Sequence, residues 1–115
     1  MTEEKVQYEV EIPVKASPHM LFPYLSTPSG LSEWFADEER SAKRLAKKTD
    51  KFIRFRWEED EEEGLNYFFE FKIIVDELTQ DASLIVIDHS EPDEVEEDKR
   101  LWESQVHELL HTIGA

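Results

Sequence analysis

A single apolar stripe near the C-terminus constrains this chain more than any other feature. Val95, Trp102, Val106, Leu109 and Ile113 recur at intervals of seven, four, three and four residues, which places them on one helix face. Pro92 and the acids Asp93, Glu94, Glu96 and Glu97 suit the positive N-terminal end of such a helix, and Gly114 ends it. The predicted helix runs from about Pro92 to Ile113. Its stripe needs an apolar surface to lie on, and the preceding sequence supplies strands.

Val6, Tyr8, Val10, Ile12 and Val14 alternate with Gln7, Glu9, Glu11, Pro13 and Lys15, the period of a strand with one dry face. Ser17 and Pro18 predict a helix start, and Pro23 shortens or kinks that helix. Thr27 and Pro28 open a second short helix carrying Leu31, Trp34 and Phe35. Ser41 to Lys48 fits a helix on propensity alone, or a basic edge strand; its strand-rich neighbours favour the strand. Phe52 to Trp57 alternates again. Glu58 to Glu63 is an unbroken six-acid run ending at Gly64, which reads as a solvated hairpin loop. Leu65, Tyr67, Phe69, Phe71, Ile73 and Val75 mark one face of a long strand, and Leu78 to Asp81 turns the chain. Leu84 to Asp88, nearly all apolar, reads as a short central strand. The connections between residues 52 and 89 are too short for parallel crossovers, so these strands form an antiparallel meander.

The 115 residues have room for one core and hence one domain, spanning 1–115. Hydrophobic residues make up 39% and aromatic residues 11%, so large rings must build much of that core. Without cysteine there is neither disulfide nor thiol chemistry, and secretion gains no support. Polar residues from Met1 to Lys5 do not form a signal peptide, and no apolar run reaches membrane-spanning length, so a soluble cytoplasmic protein is expected. There are 28 acids against 13 Lys plus Arg, a net charge of -15, which repels nucleic-acid backbones and anionic membranes alike. The acids keep an aromatic-rich domain soluble or steer it towards a basic partner.

With these elements in order, the chain resembles START-like proteins of the birch-pollen-allergen, or helix-grip, superfamily. More narrowly it resembles small bacterial START-like domains, neighbours of the Hsp-ninety ATPase activator homologues. The resemblance is carried by LSTPSGLSEWFAD from Leu25 to Asp37, FIRFRW from Phe52 to Trp57, YFFEF from Tyr67 to Phe71, DELT from Asp76 to Thr79 and LWESQV from Leu101 to Val106. It implies an α+β fold, a curved antiparallel sheet wrapped around the long C-terminal helix, with two short helices after the first strand. In one respect the chain departs from the family. Members usually place a further strand pair after Trp-Phe-Ala-Asp, whereas Glu38 to Leu45 leaves space for little more than one strand. Either the sheet is reduced, or a loop is missing around Glu38 to Arg40.

Candidate catalytic and metal-ligating groups do not converge. His107-Glu-Leu-Leu-His111 fits the zinc motif H-E-x-x-H, but both imidazoles point roughly 120° to 170° away from the apolar stripe. They read as solvated histidines favourable to a helix C-terminus. His89 beside Asp88 reads as a structural histidine at a strand end, with no serine or second base in sequence reach. Asp37 reads as a turn cap, and the 58–63 acids lack the alternating ligand spacing of a calcium loop. No catalytic residue, metal or cofactor is therefore expected, and no motif fixes an oligomeric state.

The resemblance and the aromatic content together imply a non-catalytic domain that binds a small hydrophobic ligand between sheet and C-terminal helix. Its expected lining is Tyr24, Trp34, Phe35, Trp57, Tyr67, Phe69, Trp102 and Val106, with the Tyr24 and Tyr67 hydroxyls as polar handles. Taken singly, each ring is better read as core, and so many rings argue for a small or partly collapsed cavity. The alternative is an acidic protein-interaction module resembling the chaperone-ATPase activator homologues.

Overall fold

Five strands and a C-terminal helix make up the frame of the computed structural model, which describes residues 4–27 and 42–114. The strands are β1 (Val6–Val14), β2 (Ala42–Lys48), β3 (Phe52–Trp57), β4 (Phe69–Val75) and β5 (Ala82–Ser90). They form one antiparallel sheet in the order β1-β5-β4-β3-β2. The predicted meander is thus present, and the first strand returns to flank the last.

Helix α1 (Pro18–Ser26) follows β1. Ser17 Oγ accepts from the Met20 amide at 3.2 Å, and Pro18 occupies the first turn, where a missing N–H is harmless. Pro23 does not end this helix, which continues three residues further. The Pro23 carbonyl accepts from the Thr27 amide at 3.3 Å and from Thr27 Oγ1 at 2.8 Å, which closes the last turn. Leu21, Phe22 and Leu25 bury the inner face. The second short helix, with Leu31, Trp34 and Phe35, lies outside the described residues, as does Asp37.

Residues 42–48 are the basic edge strand favoured by their neighbours, paired to β3 with a register shift between Arg44 and Ala46. Lysines along a free edge discourage further strand pairing. The acid run departs from expectation: Glu58–Glu62 forms a short helix, α2, not a loop. Acids at a helix N-terminus are favourable, and Glu61 is clamped by Arg56 at 2.8 Å and Lys43 at 3.4 Å. Gly64, at φ +74°, reverses the chain after it. β4 is also shorter than its alternation suggests. Leu65 and Tyr67 precede the ladder, and Val75 is exposed over 40% of its surface at the far end. β5 extends beyond the predicted Leu84–Asp88 at both ends and is interior, as expected.

A 3₁₀ turn (Pro92–Glu94) leads into α3 (Val95–Ile113), which Gly114 caps in the left-handed conformation. Trp102, Val106 and Leu109 are buried, and Val95 and Ile113 pack partly against the core. The helix lies over β1 and β5, facing Tyr8, Val10, Ile12, Leu84 and Val86. His107 and His111 are exposed, on the side the stripe's periodicity assigns them.

Two substitutions on α3 test this packing. Leu109→Ala should cost about 2–5 kcal/mol by urea denaturation, because the site cannot collapse around the missing atoms. His107→Ala, two residues earlier, should stay within about 0.5 kcal/mol of the parent.

Candidate functional site

The three ladders at one end of the sheet do not end together, and a cavity opens where they part. Phe55–Phe69 is the last β3–β4 pair and Glu70–Ile87 the last β4–β5 pair, whereas β1 and β5 stay paired to Val6–Ser90. Asp88 and His89 therefore have β1 on one side and no β4 partner on the other. Side chains instead of ladder bonds hold the segment entering β4. Arg56 Nε donates to the Tyr67 carbonyl at 2.9 Å, and His89 Nδ1 donates to the Phe68 carbonyl at 2.9 Å.

The resulting cavity has a volume of about 230 Å³. Asp98, Leu101, Trp102 and Gln105 of α3 form one wall, and Asp88 and His89 of β5 the opposite one. Trp57, Asp60, Tyr67 and Phe68 close the β3–β4 side, with Lys5 at the N-terminal edge. Among the sequence-expected residues, Trp57, Tyr67 and Trp102 come together here. Phe69 and Val106 lie in the core and are not part of this lining. Tyr24 is half-buried on α1, packed against the core and away from this cavity, and Trp34 and Phe35 lie outside the described residues.

Trp102 joins the cavity to the core. Its ring meets Phe71 edge-on at 5.6 Å and Phe69 at 6.2 Å, while Nε1 donates to Asp88 Oδ2 at 3.0 Å. Phe69 also packs against Trp57 at 4.8 Å and Phe55 at 5.2 Å. Asp88 Oδ1 accepts the His89 amide at 2.7 Å. Burial pushes the Asp88 carboxyl above its ordinary pKa, and the negative charge of Asp98 adds to the rise. The two hydrogen bonds and the neighbouring imidazole oppose it. Tyr8, cross-strand from Asp88, is only 6% exposed, and its hydroxyl lacks a well-formed hydrogen bond. Burial, then the charges of Asp88 and Asp98, push its pKa up.

His89 serves structurally, as its position implies, but it also lines the cavity. A carbonyl can only accept, so Nδ1 carries the proton of this hydrogen bond. Its ring packs against Tyr67 at 5.3 Å and Phe68 at 4.8 Å. The polar members Lys5, Asp60, Asp98 and Gln105 escape sequence reasoning. Asp98 and Gln105 are seven apart beside the apolar stripe, a faint signal, whereas Asp60 is indistinguishable within its acid run. Among the described residues no group of three or more His, Cys, Asp or Glu is placed to hold a metal ion.

The Asp88 environment predicts a pH dependence. A folded-state pKa above the unfolded one stabilises fully below the unfolded value, and that contribution is lost as pH rises through the folded value. Asp88→Asn keeps an acceptor for Trp102. Measured by denaturant midpoints, the parent should therefore gain stability relative to this variant as pH falls from about 7 to about 4.

A family model for the START-like superfamily domain matches residues 1–115. A Bacteroides fragilis protein solved by solution NMR is 33% identical, with 95% of this chain and 91% of that one covered and a TM-score of 0.66. The Aha1 dimer from Colwellia psychrerythraea has a TM-score of 0.73 at 16% identity, covering 94% of this chain and 96% of that one. A Mesorhizobium loti protein has a TM-score of 0.67 at 19% identity, covering 92% and 95%. At these lower identities the likeness is one of fold. No curated protein matches the chain. A family match over its whole length, together with the one-third identity to the Bacteroides protein, places this chain in the START-like superfamily.

Proposed function

We propose that this START-like domain is a non-catalytic binding protein for a small ligand with an apolar body, seated between α3 and the open end of the sheet. The observation that carries this reading is the cavity itself, walled by Trp57, Tyr67, Leu101 and Trp102. At about 230 Å³ it holds the liquid volume of roughly eight water molecules. That falls below the usual range of drug-sized sites, so a compact molecule fits and a long acyl chain does not. Polar groups and rings share the wall, as in sites where a few polar contacts orient an otherwise apolar ligand.

A binding role is favoured over catalysis because, among the described residues, the lining contains no serine, threonine or cysteine. Asp88 is already engaged by the Trp102 indole and the His89 amide, and His89 Nδ1 by Phe68. A cytoplasmic setting is proposed with this role, on the cysteine-free sequence. Among the described residues no helix is long and apolar enough to cross a membrane.

One observation favours a second reading, a protein-interaction module. Basic groups concentrate on the free edge at Lys43, Arg44, Lys47 and Lys48, while Glu96, Glu97 and Asp98 open α3. Such segregation suits an electrostatically steered partner, whose capture should weaken steeply between low and high salt.

Tryptophan emission tests the ligand reading. A panel of compact aromatic and alicyclic compounds should include some that shift or quench it and raise the melting temperature, while long-chain lipids do neither. Tyr67→Ala should weaken the responding compound about three- to tenfold, the value of one ring contact. A panel with no response in emission or melting temperature would remove the reading.

A further inference from the structure

Carboxylates predominate among the charged groups that line this cavity: Asp60, Asp88 and Asp98 against Lys5. Asp60 is 8% exposed, and among the described residues its carboxylate forms no ion pair or hydrogen bond. Asp98, half-buried on α3, has none either. Gln105 Oε1 is buried without a partner, and His89 Nδ1 is committed to the Phe68 carbonyl. The Trp102 indole N–H already serves Asp88.

Acids on the surface of so acidic a chain would carry no message, but Asp60 is not on the surface. Its five companions in the run from Glu58 to Glu63 are all exposed. The nearby cations Arg56 and Lys43 both bind exposed Glu61 and leave buried Asp60 unpaired. A carboxylate left without a partner when a ligand displaces the water in front of it is unfavourable unless that ligand supplies the counter-charge. Within the lining that counter-charge does not come from Lys5, whose ammonium sits over the Tyr67 ring, 5.3 Å from its centroid. Lys5 does demonstrate that an ammonium rests comfortably on this aromatic wall.

We propose that the cavity takes a small organic amine, its ammonium on Asp60 in the field of Asp88 and Asp98, and its apolar body against Trp57, Tyr67 and Trp102. The assignment rests on the ligand-binding reading above and names the chemical class of that ligand. An organic cation fits better than a metal ion. The carboxylates line one cavity, yet among the described residues no three ligands gather closely enough for a metal. Ring faces reward a diffuse organic cation and an apolar tail together.

Three probes of one shape and different charge decide the matter: 2-phenylethylamine, 2-phenylethanol and 3-phenylpropionate, each titrated calorimetrically into the full chain. The amine should bind at least tenfold more tightly than the alcohol, and the carboxylate should not bind. Asp60→Asn should reduce amine affinity about tenfold and leave the alcohol unchanged, whereas Glu61→Gln, one residue away, should change neither by more than twofold. Equal binding of amine and alcohol, or preference for the carboxylate, overturns the amine assignment but keeps the ligand-binding reading. Equal losses in the Asp60 and Glu61 variants also overturn it, by reducing the effect to bulk surface charge. Should Asp60→Asn fail to fold, the ranking of the three probes on the parent protein still decides. Silence from all three overturns the assignment and counts against the binding reading as well.

Discussion

Burial of the α3 stripe on β1 and β5 is the interaction on which the remaining structure depends, and Trp102 is its hinge between packing and chemistry. Val106 and Leu109 are fully buried and could be exchanged only for groups of similar volume. Trp102 does two things at once: its ring closes the Phe69–Phe71 cluster, and its N–H reaches Asp88. A buried indole needs that acceptor, and the acceptor in turn must sit where β5 has left its β4 partner. The apolar helix contact thus determines where a half-buried carboxylate stands, and the cavity forms beside it.

The opening at this end of the sheet has a local cause. Arg56 and His89 take the Tyr67 and Phe68 carbonyls, so these residues satisfy their acceptors without joining the ladder. On the opposite sheet face Arg54 pairs with buried Glu70 at 2.7 Å and stacks over Phe68, its guanidinium 4.0 Å from the ring centroid. Phe68 is gripped from both sides, by Arg54 and by His89. The strand can therefore leave its ladder early without fraying, because polar side chains replace the backbone bonds it forgoes.

Strong periodicity explains how much of this is legible in the residues alone. Alternation places β1 and β3, a short apolar run places β5, and the Val95-to-Ile113 stripe places α3 with its histidines outward. The family resemblance adds the grip of sheet on helix. The errors fall where one pattern covers two environments. Leu65 and Tyr67 continue the alternation of β4, but side-chain bonds to residues distant in sequence decide that the ladder starts only at Phe69. Six acids in a row carry no internal contrast. That Glu61 is clamped, Asp60 buried and the run helical depends on Lys43 and Arg56, which reach it through the β2–β3 pairing. For the site, rings are foreseeable as cavity walls, and the polar lining is not. Trp57, Tyr67 and Trp102 are large wherever they sit, whereas Asp60, Asp98 and Gln105 acquire meaning only from where helix and sheet bring them.

This division between foreseeable walls and unforeseeable polar groups also separates family from individual. The helix-grip arrangement specifies that a hollow exists near the sheet–helix junction; it does not specify what the hollow accepts, because function resides in the site and not in the fold. Here the walls are rings, but the polar complement is biased. Asp60, Asp88 and Asp98 face the cavity with one lysine at its rim, and that lysine is turned to a ring and not to a carboxylate. A wholly apolar ligand would leave the Asp60 carboxylate dry and unpaired, at a cost on the order of several kcal/mol. A ligand bringing its own positive charge would remove that penalty on binding. Affinity and selectivity would then both arise from a single buried acid.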